Sequence, residues 1–216
     1  MSAQPERKIG GFRARSKEAK EETRERILKA AIALYAEMGY EKFSVRKLAE
    51  RTGYTPRALY SYYKNKDEIV AAVAQDGFEK LARYLDVPSA DFAQYLSGIG
   101  RAYLRFATEN PDLYRLLFMS RPPGMLDVDK VSETVGPAIF ARLRENLKNL
   151  GLLDDASREA GGPAQDILWG LAHGLASLTI TLPYFTPERM NAAFDFLVKN
   201  VEPPLRMYFE MRKGKK

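Results

Sequence analysis

Ala49, Gly53 and Leu59 stand at a spacing suited to one kind of chemistry, the reading of a nucleic acid by a helix. Ala49 is small where a second helix must cross close to a first. Gly53 gives the turn its backbone freedom, and Leu59 faces inward with Val45 and Leu48 to fix the crossing angle. A helix–turn–helix of this kind presents its second helix to the major groove of DNA. The same three residues also fit an ordinary helical hairpin, so their surroundings decide.

Other chemistries find little support. The 216 residues contain no cysteine, which excludes a disulfide framework, a thiolate nucleophile and any thiolate metal site. His173 is the single histidine, so a multi-histidine metal centre within one chain is excluded too, and neither a metal nor a cofactor is expected. No nucleophile–base pair or phosphate-cradling glycine loop stands out, and an enzyme is not expected. The first twenty residues carry six basic and two acidic side chains and no apolar segment. That argues against a signal peptide and makes the cytoplasm the expected location.

A hydrophobic fraction of 45% with 29% charged residues fits a globular protein of one or two domains. The net charge of +6 is unevenly placed. Residues 1–70 hold 16 Lys and Arg against 10 Asp and Glu, whereas residues 71–216 hold 18 of each. A basic head on a neutral body suits a polyanion-binding protein, and a solvated charged surface would look the same.

The elements that must position these residues read as helical throughout. Ile27, Leu28, Ala31, Leu34, Tyr35 and Met38 form one apolar stripe, and Gly39 is a natural left-handed cap after it. Ser44, Thr55-Pro56, Asn65, Asn110-Pro111 and Thr186-Pro187 mark helix starts. The expected fold is all-α, with nine helices over 21–38, 45–52, 56–63, 66–85, 89–109, 111–119, 128–149, 163–182 and 187–211. Pro203-Pro204 should kink or break the last. Residues 121–124 and 160–163 read as loops, residues 1–20 as a flexible basic arm and 212–216 as a basic tail. The head is placed at 21–67 and the body at 68–211.

The run Gly39-Tyr40, Phe43-Ser44-Val45, Leu48-Ala49, Gly53, then Leu59-Tyr60-Ser61-Tyr62-Tyr63-Lys64-Asn65-Lys66 strongly resembles the N-terminal domain of the tetracycline-repressor (TetR) family of bacterial transcription regulators. The resemblance is dense over residues 21–70. It implies a three-helix DNA-binding head followed by a helical-bundle body for regulation and dimerisation. Arg46 matches a position that reaches a guanine edge through a bidentate guanidinium. Thr55, Pro56, Arg57 and Ala58 open the recognition helix. Arg57 stands as a further base reader or as a phosphate contact, and Pro56 or Ala58 would touch a thymine methyl. Tyr60 and Tyr62 match phosphate contacts, with a mainly core role as the alternative for Tyr60, and Ser44 would be a further phosphate contact. Tyr63 fills a buried aromatic position. Lys66, at the start of the fourth helix, would hold a phosphate together with backbone N–H groups. Arg13, Arg15 and Lys17 of the arm would raise nonspecific affinity, or else enter the minor groove.

In the body, no charge occurs between Ile167 and Pro187. His173, the glycines and the hydroxyl residues within this stretch argue against a membrane span, and burial against partners is expected instead. Pairing of helices 163–182 and 187–211 across a twofold axis would form a homodimer. The run Trp169-Gly170-Leu171-Ala172-His173-Gly174 is similar to the signature of the family's WHG-type C-terminal domain. His173 reads as a structural hydrogen-bond partner ahead of a ligand contact. The family body encloses an effector pocket, for which Tyr103, Phe106, Tyr114, Phe118, Met119, Trp169 and His173 are the candidates. An apolar or flat aromatic effector would suit them. The expected function is a repressor released from a palindromic operator, with an activator using the same head as the alternative.

Overall fold

The structure, a computed structural model, describes residues 10–88, 91–120, 145–146, 148–149 and 163–212. It is all-α, and no strand occurs among the described residues. The helices are α1 (Gly10–Lys42), α2 (Val45–Thr52), α3 (Pro56–Tyr60), α4 (Lys66–Tyr84), α5 (Phe92–Glu109), α6 (Pro111–Tyr114), α7 (Pro163–Thr181) and α8 (Pro187–Arg212). A π-helical turn, Arg115–Met119, continues α6. The expected helix over 128–149, apart from the few residues above, and the expected loop over 121–124 lie outside the described residues. The chain divides into two compact units, a head up to Val73 and a body from Ala74 onward.

The head is built on the predicted stripe. Ile27, Leu28, Ala31, Leu34 and Tyr35 of α1 are buried with Phe43, Val45, Leu48, Ala49, Leu59 and Tyr63. Two turns in this unit demand glycine. Gly39 has φ 71° and interrupts the helical path of α1 before its last residues, and Gly53 has φ 72° at the end of α2. An L side chain is strained in that left-handed region. A two-pronged ion pair from Arg51 to Glu37, at 2.7 and 2.5 Å, ties α2 to α1 and lowers the Glu37 pKa.

In the body, α8 and α7 both lie along α5. Phe92, Tyr95 and Leu96 of α5 are buried against Leu168 of α7 and Val198, Leu205 and Tyr208 of α8. Gly100 lets α8 approach closely, since a Cβ there would stand 2.2 Å from the ring of Phe194. Phe194 is itself buried.

Several expectations need correction. Residues 10–20 are not a separate arm but the first turns of α1. Arg13, Ala14, Arg15, Lys17, Glu18 and Ala19 are good helix formers and outweigh the two glycines before them. Helix α3 stops at Tyr60 rather than 63, where Tyr62 and Tyr63 N–H both turn back to the Leu59 carbonyl. Asn110 does not cap α6 with its side chain. Its amide instead donates to the Phe106 carbonyl at 3.0 Å and accepts from Lys80 at 2.6 Å. Helix α8 continues through Pro203-Pro204 without a break. Proline already holds a helical φ, so the cost is confined to lost hydrogen bonds and local crowding.

Candidate nucleic-acid interface and effector region

Two side-chain caps shape the helix–turn–helix. Ser44 Oγ accepts from the Lys47 N–H at 3.3 Å and Thr55 Oγ1 from the Ala58 N–H at 3.2 Å. Pro56 occupies the first turn of α3, where its missing N–H costs nothing. A capping hydroxyl accepts but still has its own proton to donate, so Ser44 and Thr55 remain able to meet a phosphate. Leu59 is fully buried, and this fixes which side of α3 turns inward.

All nine candidate DNA-contacting residues, Ser44, Arg46, Thr55, Pro56, Arg57, Ala58, Tyr60, Tyr62 and Lys66, are exposed or half-buried. The side chain of Arg46 is 84% exposed, with Nε 3.3 Å from Glu50 one turn along. Such a solvated pair is weak enough to yield to a base edge. Tyr60 is 53% exposed, which removes the core alternative, whereas Tyr63 is buried as expected. Lys20 lies 5.9 Å over the Tyr62 ring.

Lys66 is held in place. Its ammonium lies 3.9 Å from the centre of the Tyr40 ring, whose hydroxyl donates to the Asp67 carboxylate. That hydrogen bond pushes the Tyr40 pKa up to about 12. At the same helix start, the Asn65 side chain accepts from the Glu68 N–H at 2.8 Å, and Glu68 accepts in return from the Lys64 N–H. Both carboxylates of the first turn are thereby engaged by other donors. Tyr40 was not among the candidates, although Gly39-Tyr40 is visible as a pair in the sequence.

Six of the seven effector candidates are joined by ring contacts within the body. Tyr103, Tyr114, Phe118, Trp169 and His173 form a packed aromatic cluster, with neighbouring ring centres 5.0–6.3 Å apart. Phe106 joins it through Tyr114, and Met119 stands at the end of the π turn, 42% exposed. His173 is the polar centre. Its Nδ1 lies 2.7 Å from the Tyr114 hydroxyl and 3.5 Å from that of Tyr103, and Nε2 lies 3.4 Å from Ser177 Oγ. Burial lowers the His173 pKa. A neutral ring with Nδ1 accepting from Tyr114 and Nε2–H facing Ser177 satisfies these contacts. Ser177 was missed as a member, though it lies one helical turn after His173. None of the seven lines the cleft found between the end of α4, α5 and the start of α8.

Residues 27–73 match the family described as bacterial regulatory proteins, tetR family, and residues 96–201 match the tetracyclin repressor-like C-terminal domain. Together the two matches cover more than half of the chain. The chain belongs to the tetR family. The C-terminal match contains the Trp169–Gly174 run.

Among curated relatives of this tetR-family chain, the transcriptional activator FasR of Mycolicibacterium smegmatis is 26% identical over 141 residues, 62% of this chain and 64% of its own length. The transcriptional repressor KstR of Rhodococcus jostii is 29% identical over 132 residues, 59% of this chain and 62% of its own. The chain thus spans just under two thirds of the length of these two relatives. The fold is shared with the regulatory protein SCO4313, at a TM-score of 0.65 and 22% identity, covering 84% of this chain and 97% of that one. A tetR-family regulator from Syntrophomonas wolfei matches equally well, at a TM-score of 0.65 and 18% identity over 83% and 94% of the two chains.

Proposed function

We propose that this tetR-family regulator binds an operator as a homodimer and acts as a repressor released by a small apolar or aromatic effector. The observation that carries the reading is the geometry of α3. Leu59 is sealed in the core while Thr55, Pro56 and Arg57 at the start of the helix stand exposed. This is the arrangement a recognition helix needs to enter a major groove.

Dimerisation through α7 and α8 explains surface that one chain leaves uncovered. Ile167, Trp169 and Leu171 on α7 and Phe196 and Met207 on α8 are all exposed, Phe196 to 72%. A Cβ added at Gly170 or Gly174 would meet nothing within 4 Å, which leaves room for another backbone. Among the described residues, no helix is long and apolar enough to cross a membrane. A second copy is the economical cover, and it would bring two heads to half-sites roughly 34–36 Å apart.

The effector would act on the aromatic cluster. The rings now pack against one another, so an apolar molecule enters only by parting them. It therefore binds one arrangement better than the other, which is the requirement for shifting a population. Activation is the second reading, favoured by the name of the FasR relative.

Selection from a random duplex pool tests the core of the proposal. An enriched inverted repeat supports it, and no enrichment at physiological salt contradicts it. Reporter output after deletion then separates repressor from activator by sign.

Two substitutions separate positioning from reading. Lys66→Ala should weaken binding to every duplex alike and reduce the salt slope by about one unit, as expected for one lost phosphate contact. Arg46→Ala should cost roughly 1–3 kcal/mol of discrimination at one base pair per half-site. An unchanged preferred sequence in the Arg46 variant would confine that residue to phosphate contact.

A further inference from the structure

The body holds a concavity lined by none of the residues of the aromatic cluster. A cleft of about 560 Å³ opens between the end of α4, α5 and the start of α8. Its size lies within the range of small-molecule sites. We propose that it binds a small dianion with an apolar or aromatic body, of the phosphate monoester class.

Arg83, Arg101 and Arg105 line the cleft against one carboxylate, Asp86. Arg101 is ion-paired with Asp195 of α8. Arg83 and Arg105 have no ion pair with a described carboxylate, so two guanidinium groups remain for a ligand, with Asp86 in the lining offsetting part of their charge. Arg105 lies 5.2 Å over the Tyr84 ring. Stacking occupies the face of a guanidinium and leaves its N–H edge free, in the planar fork that suits phosphate oxygens.

A helix starts at the cleft and adds to this charge. Pro187, the first residue of α8, is part of the lining. The partial positive charge at the start of this 26-residue helix adds to that of the arginines. The exposed Glu188 beside it offsets part of the field but is not part of the lining.

The rest of the lining bears on the body of the ligand. Tyr84, Val87, Pro88, Ala102 and Leu104 supply an aromatic and apolar wall beside the charges. Inorganic phosphate would leave that wall bare, and a monocarboxylate would leave one guanidinium unmatched. A phosphate monoester supplies nearly two charges above its second pKa of about 6 and brings an organic group as well.

Calorimetric titration of the full chain with phenyl phosphate tests this, with inorganic phosphate, benzoate and benzyl alcohol as comparison probes. Saturable binding is expected at about pH 7.5, at least about tenfold tighter for phenyl phosphate than for any of the other three. Lowering the pH to about 5.5 should weaken it as the dianion is lost. Arg83→Gln and Arg105→Ala should each weaken it about tenfold or more, with melting temperatures unchanged for these exposed positions. His173→Gln, in the aromatic cluster, should leave it intact. The proposal is overturned by the absence of saturable binding at millimolar phenyl phosphate, or by equal binding of benzyl alcohol. Affinity that survives both arginine substitutions, or that follows His173 instead, also overturns it. None of these outcomes depends on DNA binding, so the operator proposal stands or falls separately.

Discussion

Gly100→Leu is expected to lower the melting temperature by roughly 6–12 °C, the equivalent of about 3 kcal/mol in a chain of this size. The cause is a single close approach. Even one carbon added at Gly100 would sit 2.2, 2.5 and 2.8 Å from three atoms of the Phe194 ring. That ring is 4% exposed and has no open space to swing into without unpacking α8 from α5. A core at crystal-like density cannot absorb such an overlap by small shifts. The partner substitution makes the argument specific. Phe194→Ala alone should cost about 3–5 kcal/mol for the hole it leaves. The double substitution should cost less than the sum of the two, by about 1–3 kcal/mol, because the new side chain fills the space vacated by the ring. Strict additivity in thermal or denaturant unfolding would show that the two residues do not meet.

Tyr114→Phe should destabilise the body by about 1–3 kcal/mol while keeping its ring contacts, since it removes the donor 2.7 Å from His173 Nδ1. Tyr114 is fully buried, so no bulk water replaces the lost hydroxyl. The same site predicts a pH effect. Among the described residues, the groups facing His173 are Tyr103, Tyr114, Phe118, Trp169 and Ser177, none of them charged at neutral pH. Burial holds its pKa below the ordinary 6.5, so in acid the unfolded chain takes up this proton before the folded one does. Stability is therefore complete above pH 6.5, declines as the pH falls through that value, and stops declining below the folded pKa. With one histidine in the chain, no second imidazole titrates in this window. Melting curves at about pH 7.5, 6.5 and 5.5 should show the decline in the natural protein and its absence in His173→Gln. A decline of equal size in both would place its origin elsewhere.

What the sequence reveals and what it hides divides by distance along the chain. Ser44, Thr55 and Thr186 act as caps within three residues of the N–H they satisfy, so a short window contains the whole interaction. The head was legible for that reason, and because its apolar stripe needs only helical spacing. Asn110 shows how the same rule fails. Its amide is taken by Lys80, thirty residues away, and by the preceding turn, and no local pattern announces that competition. The contact of Gly100 with Phe194 and the cleft of arginines join distant stretches of chain in the same way. The aromatic cluster was legible as a set of residues but not as a packed array. Periodicity places side chains on a face without saying whether they enclose space or fill it.

The π turn at Arg115–Met119 carries a consequence for how such a body changes over generations. A π turn holds one residue more than an α turn, so it is an insertion already absorbed by the fold. Arg115 pins its start by donating to the Ile180 carbonyl, 2.7 Å away near the end of α7. Deleting one residue downstream of that anchor would restore an α turn, so the change would fall on the side chains of the turn itself, Phe118 and Met119 among them. Phe118 would then shift against the rings of Trp169 and His173 that it now meets. A single-codon deletion can thus re-aim the residues bordering the cluster while α5 and α7 keep their sequence, so length variation becomes a route to new effector preference.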